Sequence, residues 1–154
     1  MKKRPPYNEN AAIRGAIRRT FSRSPMIREI LLKVRREVPR LRKDGTRAKK
    51  DSVQYQCQTC KNYVGSTHIS VDHIDPVIPT EGFVDWNTFV DRLFCGPENL
   101  APICEECHQK KTNEERRARQ LIKDTATLKD LQCRSDLNEK ESKLLNRLNK
   151  KLKS

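Results

Sequence analysis

No apolar run in this sequence is long enough to act as a signal peptide or to cross a membrane; Met1 is followed by Lys2, Lys3, Arg4 and two prolines. That absence predicts a chain that stays in a reducing cytoplasm. Hydrophobic residues are scarce as well, at 34% of 154 residues, with another 34% charged. Such a composition excludes a large core and suits one compact domain with extensions, held together in part by something other than apolar burial. There is no internal repeat at a solenoid period and no long low-complexity tract. Acidic residues are nearly missing from the first third. Residues 1–50 hold 17 Lys or Arg against Glu9, Glu29, Glu37 and Asp44, whereas residues 51–154 hold 16 of each sign. The whole net charge of +13 therefore sits in the first fifty residues. A solvated helix face usually mixes signs, so an excess this one-sided favours a polyanion partner.

What is present in its place is a set of paired cysteines. Cys57-Gln-Thr-Cys60 and Cys104-Glu-Glu-Cys107 are two Cys-x2-Cys turns, each offering both sulfurs from one bend. Four thiolates in two such pairs suit the tetrahedral shell of a structural zinc, and a reducing compartment disfavours the alternatives of two disulfides or four free thiols. Cys95 and Cys133 have no close partners and read as ordinary free cysteines. Between the pairs lies Val71-Asp72-His73-Ile74, and His108 follows the second pair directly. A four-sulfur zinc leaves Asp72, His73 and His108 for a second, catalytic metal.

Along the chain, Ile13, Ala16, Ile17 and Phe21 recur at helical spacing, with Arg14, Arg18 and Arg19 mostly off that stripe. Ser24 and Pro25 predict the start of a second helix, with Ile27, Ile30, Leu31, Val34 and Val38 on its buried face up to Pro39. Arg40, Arg42, Lys43, Arg47, Lys49 and Lys50 crowd around Gly45 in a stretch that reads as a flexible arm ordering on phosphate. Short strands are expected at 53–56, 62–64 and 67–73, and a helix capped by Asp85 with Trp86, Phe89, Val90, Leu93 and Phe94 on its apolar side. Those aromatics read as a small core, not a base-stacking platform. A polar helix is expected from Glu105 to about Lys123, then leucine-bearing helices near 125–133 and 136–152 that could pack on the core or on a second copy of the chain. The domain reading is thus 1–50, a basic helical extension and linker; 51–123, the zinc-bearing catalytic domain; and 124–154, a helical tail.

Val71-Asp72-His73-Ile74-Asp75-Pro76, followed by Glu98-Asn99-Leu100-Ala101-Pro102-Ile103-Cys104-Glu105-Glu106-Cys107-His108-Gln109-Lys110-Lys111-Thr112, resembles the signature of the HNH endonuclease family. It is most similar to the zinc-stapled members common in bacteriophages and prophages, and the resemblance covers roughly residues 55–115. It implies an α+β protein with a ββα-metal core. It also implies a separate zinc on Cys57, Cys60, Cys104 and Cys107. His73, Asn99 and His108 match the family's three named positions, and Asp72 matches the position that donates a carboxylate to the catalytic metal.

Elementary chemistry fits these implied roles. His73 is suited to be the general base, because an imidazole can take a proton from water near neutral pH. Asp72 and His108 offer oxygen and nitrogen to an ion that keeps most positions for water and phosphate, a shell suited to Mg²⁺ or Mn²⁺ and tolerant of Ni²⁺. Asn99 fits a side chain that ties a loop back to the backbone near His73. Lys110 or Lys111 could reach a phosphate at the helix N-terminus. His68 reads as a surface residue. The expected function is metal-dependent hydrolysis of DNA phosphodiester bonds by a His-activated water. The alternative is a catalytically silent zinc-containing module that binds nucleic acid. The implied partners are DNA and not a membrane, with a homodimer or phage packaging proteins as further candidates. Host cytoplasm is the expected location if a phage encodes the chain.

Overall fold

The computed structural model describes residues 6–153; residues 1–5 and 154, the outer ends of the two expected extensions, lie outside the described residues. The protein is α+β. Helix α1 (Glu9–Phe21) is capped by Asn8, whose side chain accepts from Ala11 N, and α2 (Pro25–Lys33) by Ser24, with proline in its first turn. Strands β1 (Arg35–Val38), β2 (Ser52–Gln56) and β3 (Tyr63–Gly65) form one antiparallel sheet in that order. Strand β4 (Ile69–His73) pairs antiparallel with β5 (Leu100–Cys104), with Ile69 opposite Cys104 and His73 opposite Leu100. Between them lies α3 (Trp86–Leu93), capped by Asp85, which accepts from Thr88 N at 2.8 Å. Helix α4 (Glu105–Cys133) follows β5 without a break, and α5 (Glu139–Lys153) completes the chain. No helix among the described residues is long and apolar enough to cross a membrane.

The chain divides into two compact units. The first comprises the described residues up to Val77 together with Val84–His108. Its buried apolar residues include Phe21 and Ile30 from the first helices, Phe89 and Leu93 from α3, and Leu100 and Ile103 from β5. Small as it is, this core matches the 34% hydrophobic content. The aromatics are packed edge to face: Phe21 on Phe94 at 5.5 Å and Trp86 on Phe89 at 6.0 Å between ring centroids.

Three elements differ from the sequence expectation, the first through a distant partner strand and the other two through local hydrogen bonds. The second helix ends at Lys33, not Val38, and Arg35–Val38 is a strand. Pro39 disfavours helix at the residue before it, and β2 supplies a ladder from Arg35↔Tyr55 to Val38↔Ser52. The basic stretch after it is no flexible arm but the hydrogen-bonded tip of the β1–β2 ribbon, with Leu41 bridged to Arg47. Finally, the two helices expected on either side of Asp124 are one. Thr125, read as a helix start, turns its hydroxyl back to donate to the Leu121 carbonyl at 2.9 Å, so the helix runs through it.

The second unit comprises Ile78–Phe83 and the described residues from Gln109 onward. Here α5 starts with a reciprocal cap: Glu141 N donates to the Asn138 side chain, and Asn138 N to the Glu141 carboxylate, both at 3.0 Å. Leu131 and Leu148 are its most buried apolar residues. Asp124 on α4 is 8% exposed and accepts from Lys151 on α5 at 2.5 Å and from Gln120 at 2.8 Å. Lys151 first, then Gln120, holds the Asp124 carboxyl below its ordinary value of 3.8. A carboxyl depressed by folding stabilises above its unfolded value and loses that contribution as pH falls through the folded one. Asp124→Asn is therefore expected to lower the melting temperature at about pH 7 and to match the wild type near pH 2. Equal losses at both pH values, read by thermal melts, would assign Asp124 a packing role instead.

Candidate metal centre and active site

The first cysteine pair lies in the turn between β2 and β3. Cys57 N donates to Asn62 O at 2.9 Å and Lys61 N to Cys57 O at 3.0 Å, with Lys61 at φ +62° turning the chain back. Gln58 N donates to Pro102 O at 2.8 Å, which fastens this turn to β5, the strand that carries Cys104. The second pair straddles the junction of β5 and α4. The four sulfurs, Cys57, Cys60, Cys104 and Cys107, lie within 4.8 Å of one another, and they are the one group of three or more converging ligand atoms among the described residues.

A zinc–sulfur bond of about 2.3 Å sets tetrahedral sulfur edges near 3.8 Å, and Cys60 Sγ lies 3.8 Å from Cys104 Sγ. All six cysteines are free, so no disulfide competes. Cys57 is fully buried, and its sulfur accepts from Cys104 N at 3.3 Å. Burial pushes its thiol up, but the N–H groups of Cys60, Cys104 and Thr59 outweigh this and bring it down to about 6. Cys107 moves the other way, to about 12, first through its hydrogen bond with Cys104, then through burial and the sulfurs of Cys60 and Cys57. Four sulfurs this close cannot all be thiolates without a cation among them. The four cysteines are positioned to bind a metal ion, and their geometry and softness are those of a structural zinc site.

Apart from this cluster, the sequence-predicted residues are held by the β4–β5 pair and the start of α4. His73, the last residue of β4, is 8% exposed. Its Nε2 is 2.9 Å from the Leu93 carbonyl oxygen, an acceptor only, so Nε2 carries a proton. The Phe21 ring packs on the imidazole, 5.0 Å between centroids. Asn99, just before β5, secures the backbone that leaves β4. Its side-chain oxygen accepts from Asp75 N at 2.8 Å, and its carbonyl accepts from Ile74 N at 2.8 Å. Asp72 is half-buried on β4 opposite Ala101, and His108 is exposed in the first turn of α4. Asp72, His73 and His108 do not form a second group of three converging ligand atoms.

Leu93 and Phe21 were not identified as His73's neighbours from sequence. The one available signal is the helix stop at Gly96-Pro97, which leaves the last carbonyls of α3 in need of donors. Other residues have local partners. His68 is exposed with Nδ1 at 3.3 Å from Glu105. Glu105 and Glu106 are exposed in the first turn of α4, where carboxylates complement the helix N-terminus.

The basic residues divide by surroundings. Arg18 lies over the Phe89 ring at 5.6 Å; Arg14 is half-buried and Arg19 exposed on the same helix. Arg47 pairs with Asp51 at 3.1 Å, and Lys111 with Glu115 at 3.1 Å. Arg40, Arg42, Lys43, Lys49 and Lys50 are exposed on the ribbon tip. Compared with protein-family models, with curated proteins and with solved structures, the chain has no match.

Proposed function

We propose that the protein is a metal-dependent endonuclease of the HNH type that hydrolyses DNA phosphodiester bonds, with a ββα-metal core made of β4, β5 and the start of α4. The observation that carries this reading is the continuity of those elements. An antiparallel strand pair leads directly into a helix, with Asp72-His73 at the end of the first strand and His108 in the first helical turn. A structural zinc alone would require none of these three residues, nor Asn99.

His73 is the general base. With the proton held on Nε2 by the Leu93 carbonyl, the Nδ1 lone pair is the one that takes a proton from water. The imidazolium so formed keeps its bond to Leu93, at the C-terminal end of α3, where positive charge is favoured. Phe21 restricts the ring from one side, and Asn99 fixes the turn that follows it. Asp72 and His108 would hold the catalytic ion, with water and phosphate oxygens completing its shell. Bound there, Mg²⁺ or Mn²⁺ would stabilise charge on the phosphate and on the departing 3′ oxygen. The cysteine site has a positioning role, since Cys107 anchors the turn of α4 from which His108 projects.

The test is conversion of supercoiled plasmid to nicked circles. Cleavage is expected with Mg²⁺ or Mn²⁺ and should stop when those ions are withdrawn from zinc-loaded protein. Zinc-loaded protein that binds DNA yet leaves plasmid intact with each divalent ion would overturn the reading in favour of a silent nucleic-acid-binding zinc module.

A further inference from the structure

The proposed activity does not say how the basic third of the chain engages DNA. The β1–β2 ribbon answers from its shape. From Arg35 to Gln56 it carries eight Lys or Arg and three acids, and each acid is engaged locally. Glu37 pairs with Arg35, Asp51 pairs with Arg47, and Asp44 accepts from Thr46 N at 2.9 Å and from its hydroxyl at 2.7 Å. The remaining cations at the tip face solvent, and from Pro39 to Lys50 every residue but Ala48 is exposed.

The tip is built, not loose. Gly45 N donates to Arg42 O at 3.0 Å, Arg42 N to Thr46 O at 2.8 Å and Ala48 N to Arg40 O at 2.7 Å. This is a three-residue hairpin loop over Lys43-Asp44-Gly45, with Gly45 at φ +81° in the left-handed place such a loop requires. Two strands about 4.8 Å apart with their side chains match a B-DNA major groove roughly 12 Å wide. The five residues from Pro39 to Lys43 extend about 16 Å, more than that groove's depth of about 8.5 Å. At the base of the ribbon, a groove of about 640 Å³ is lined by Ile27, Leu31 and Leu32 together with Arg23, Arg28 and Arg35; Arg35 already pairs with Glu37, which leaves Arg23 and Arg28 as cations for flanking phosphates.

We infer that the tip of this ribbon, residues 39–51, is a preformed hairpin that enters the major groove of double-stranded B-form DNA, while its base, where β3 pairs with β2, stays outside the groove. The inference rests on that nucleic-acid reading but is tested apart from cleavage. A-form RNA has a major groove too deep and narrow for a ribbon, and a single strand has none.

The measurement is fluorescence anisotropy with full-length, zinc-loaded protein, without added Mg²⁺, on a labelled DNA duplex, the RNA duplex of the same sequence and the single DNA strand. The DNA duplex is expected to bind at least about tenfold tighter than either of the others. Gly45→Ile changes no charge, and the added Cβ meets nothing within 4 Å, so it acts through backbone strain alone. It should weaken duplex binding about tenfold, the population penalty for forcing an L residue left-handed. Gly45→Asn, which tolerates that conformation, should bind as wild type. Arg42→Ser with Lys43→Ser should reduce the slope of log affinity on log salt by about 1.8, two phosphate contacts at roughly 0.9 each. Equal affinity for duplex RNA or single strands, or a Gly45→Ile protein indistinguishable from wild type, overturns the ribbon in favour of an unstructured polycation. Duplex-specific binding without plasmid nicking would sink the nuclease reading and leave the ribbon standing.

Discussion

Withdrawing metal from the site of Cys57, Cys60, Cys104 and Cys107 is expected to unfold the first compact unit, whereas withdrawing Mg²⁺ should leave its melting temperature nearly unchanged. The four sulfurs join the β2–β3 turn to the β5–α4 junction across 43 intervening residues. Around them the buried cluster is only Cys57, Ala101, Ile103, Cys104 and Cys107 with Val64 packed against it. Half of that cluster is the ligands themselves. Apolar burial on this scale contributes a few kcal/mol, while structural zinc contributes apparent values of about 10–16 kcal/mol in small domains. Total stability is usually about 5–15 kcal/mol, so loss of the ion exceeds what the remaining contacts can offset. Cys57→Ser should behave like chelation, because it removes a ligand from the fully buried corner of the cluster. Elemental analysis of protein purified without added metal should give about one zinc per chain. A metal-free protein with an unchanged melt, or one holding disulfides in place of zinc, would contradict this account.

The cysteine cluster could be read from sequence because its information is local. A Cys-x2-Cys turn brings two sulfurs together by itself, so two such turns need only one long-range encounter to form a four-sulfur site. The Asp85 cap was legible for the same reason, its bond to Thr88 spanning three residues. Features that depend on distant partners were not. Nothing between Val34 and Val38 announces a strand; it becomes one because Ser52–Gln56 lies alongside. The ribbon tip shows the opposite failure. Its charge density suggested an unfolded arm, but Asp44, Gly45 and Thr46 encode a hairpin loop, and the charges ride on it. At the candidate active site, the Asp-His pair and the later His are visible as residues. The tautomer of His73 is not, since the carbonyl that fixes it belongs to Leu93, twenty positions away on a helix whose last turn lacks intrahelical donors.

That carbonyl decides which substitution of His73 separates chemistry from folding. His73→Ala would leave the Leu93 oxygen without its donor in a buried site and open a gap beside Phe21, costing about 1–3 kcal/mol. A loss of cleavage in that variant would be ambiguous. His73→Gln keeps an N–H donor within reach of Leu93 but has no basic nitrogen. It is expected to melt within a few degrees of the wild type, to retain zinc and DNA affinity, and to nick plasmid at least about a hundredfold more slowly, the usual contribution of a general base. Raising the pH should recover part of the lost rate, because hydroxide can replace water that needs deprotonation. The Ala variant should show the same chemical defect with a lower melting temperature added to it. Nicking at the wild-type rate by folded His73→Gln protein would remove His73 from the chemistry and leave it as a structural residue that caps the end of α3.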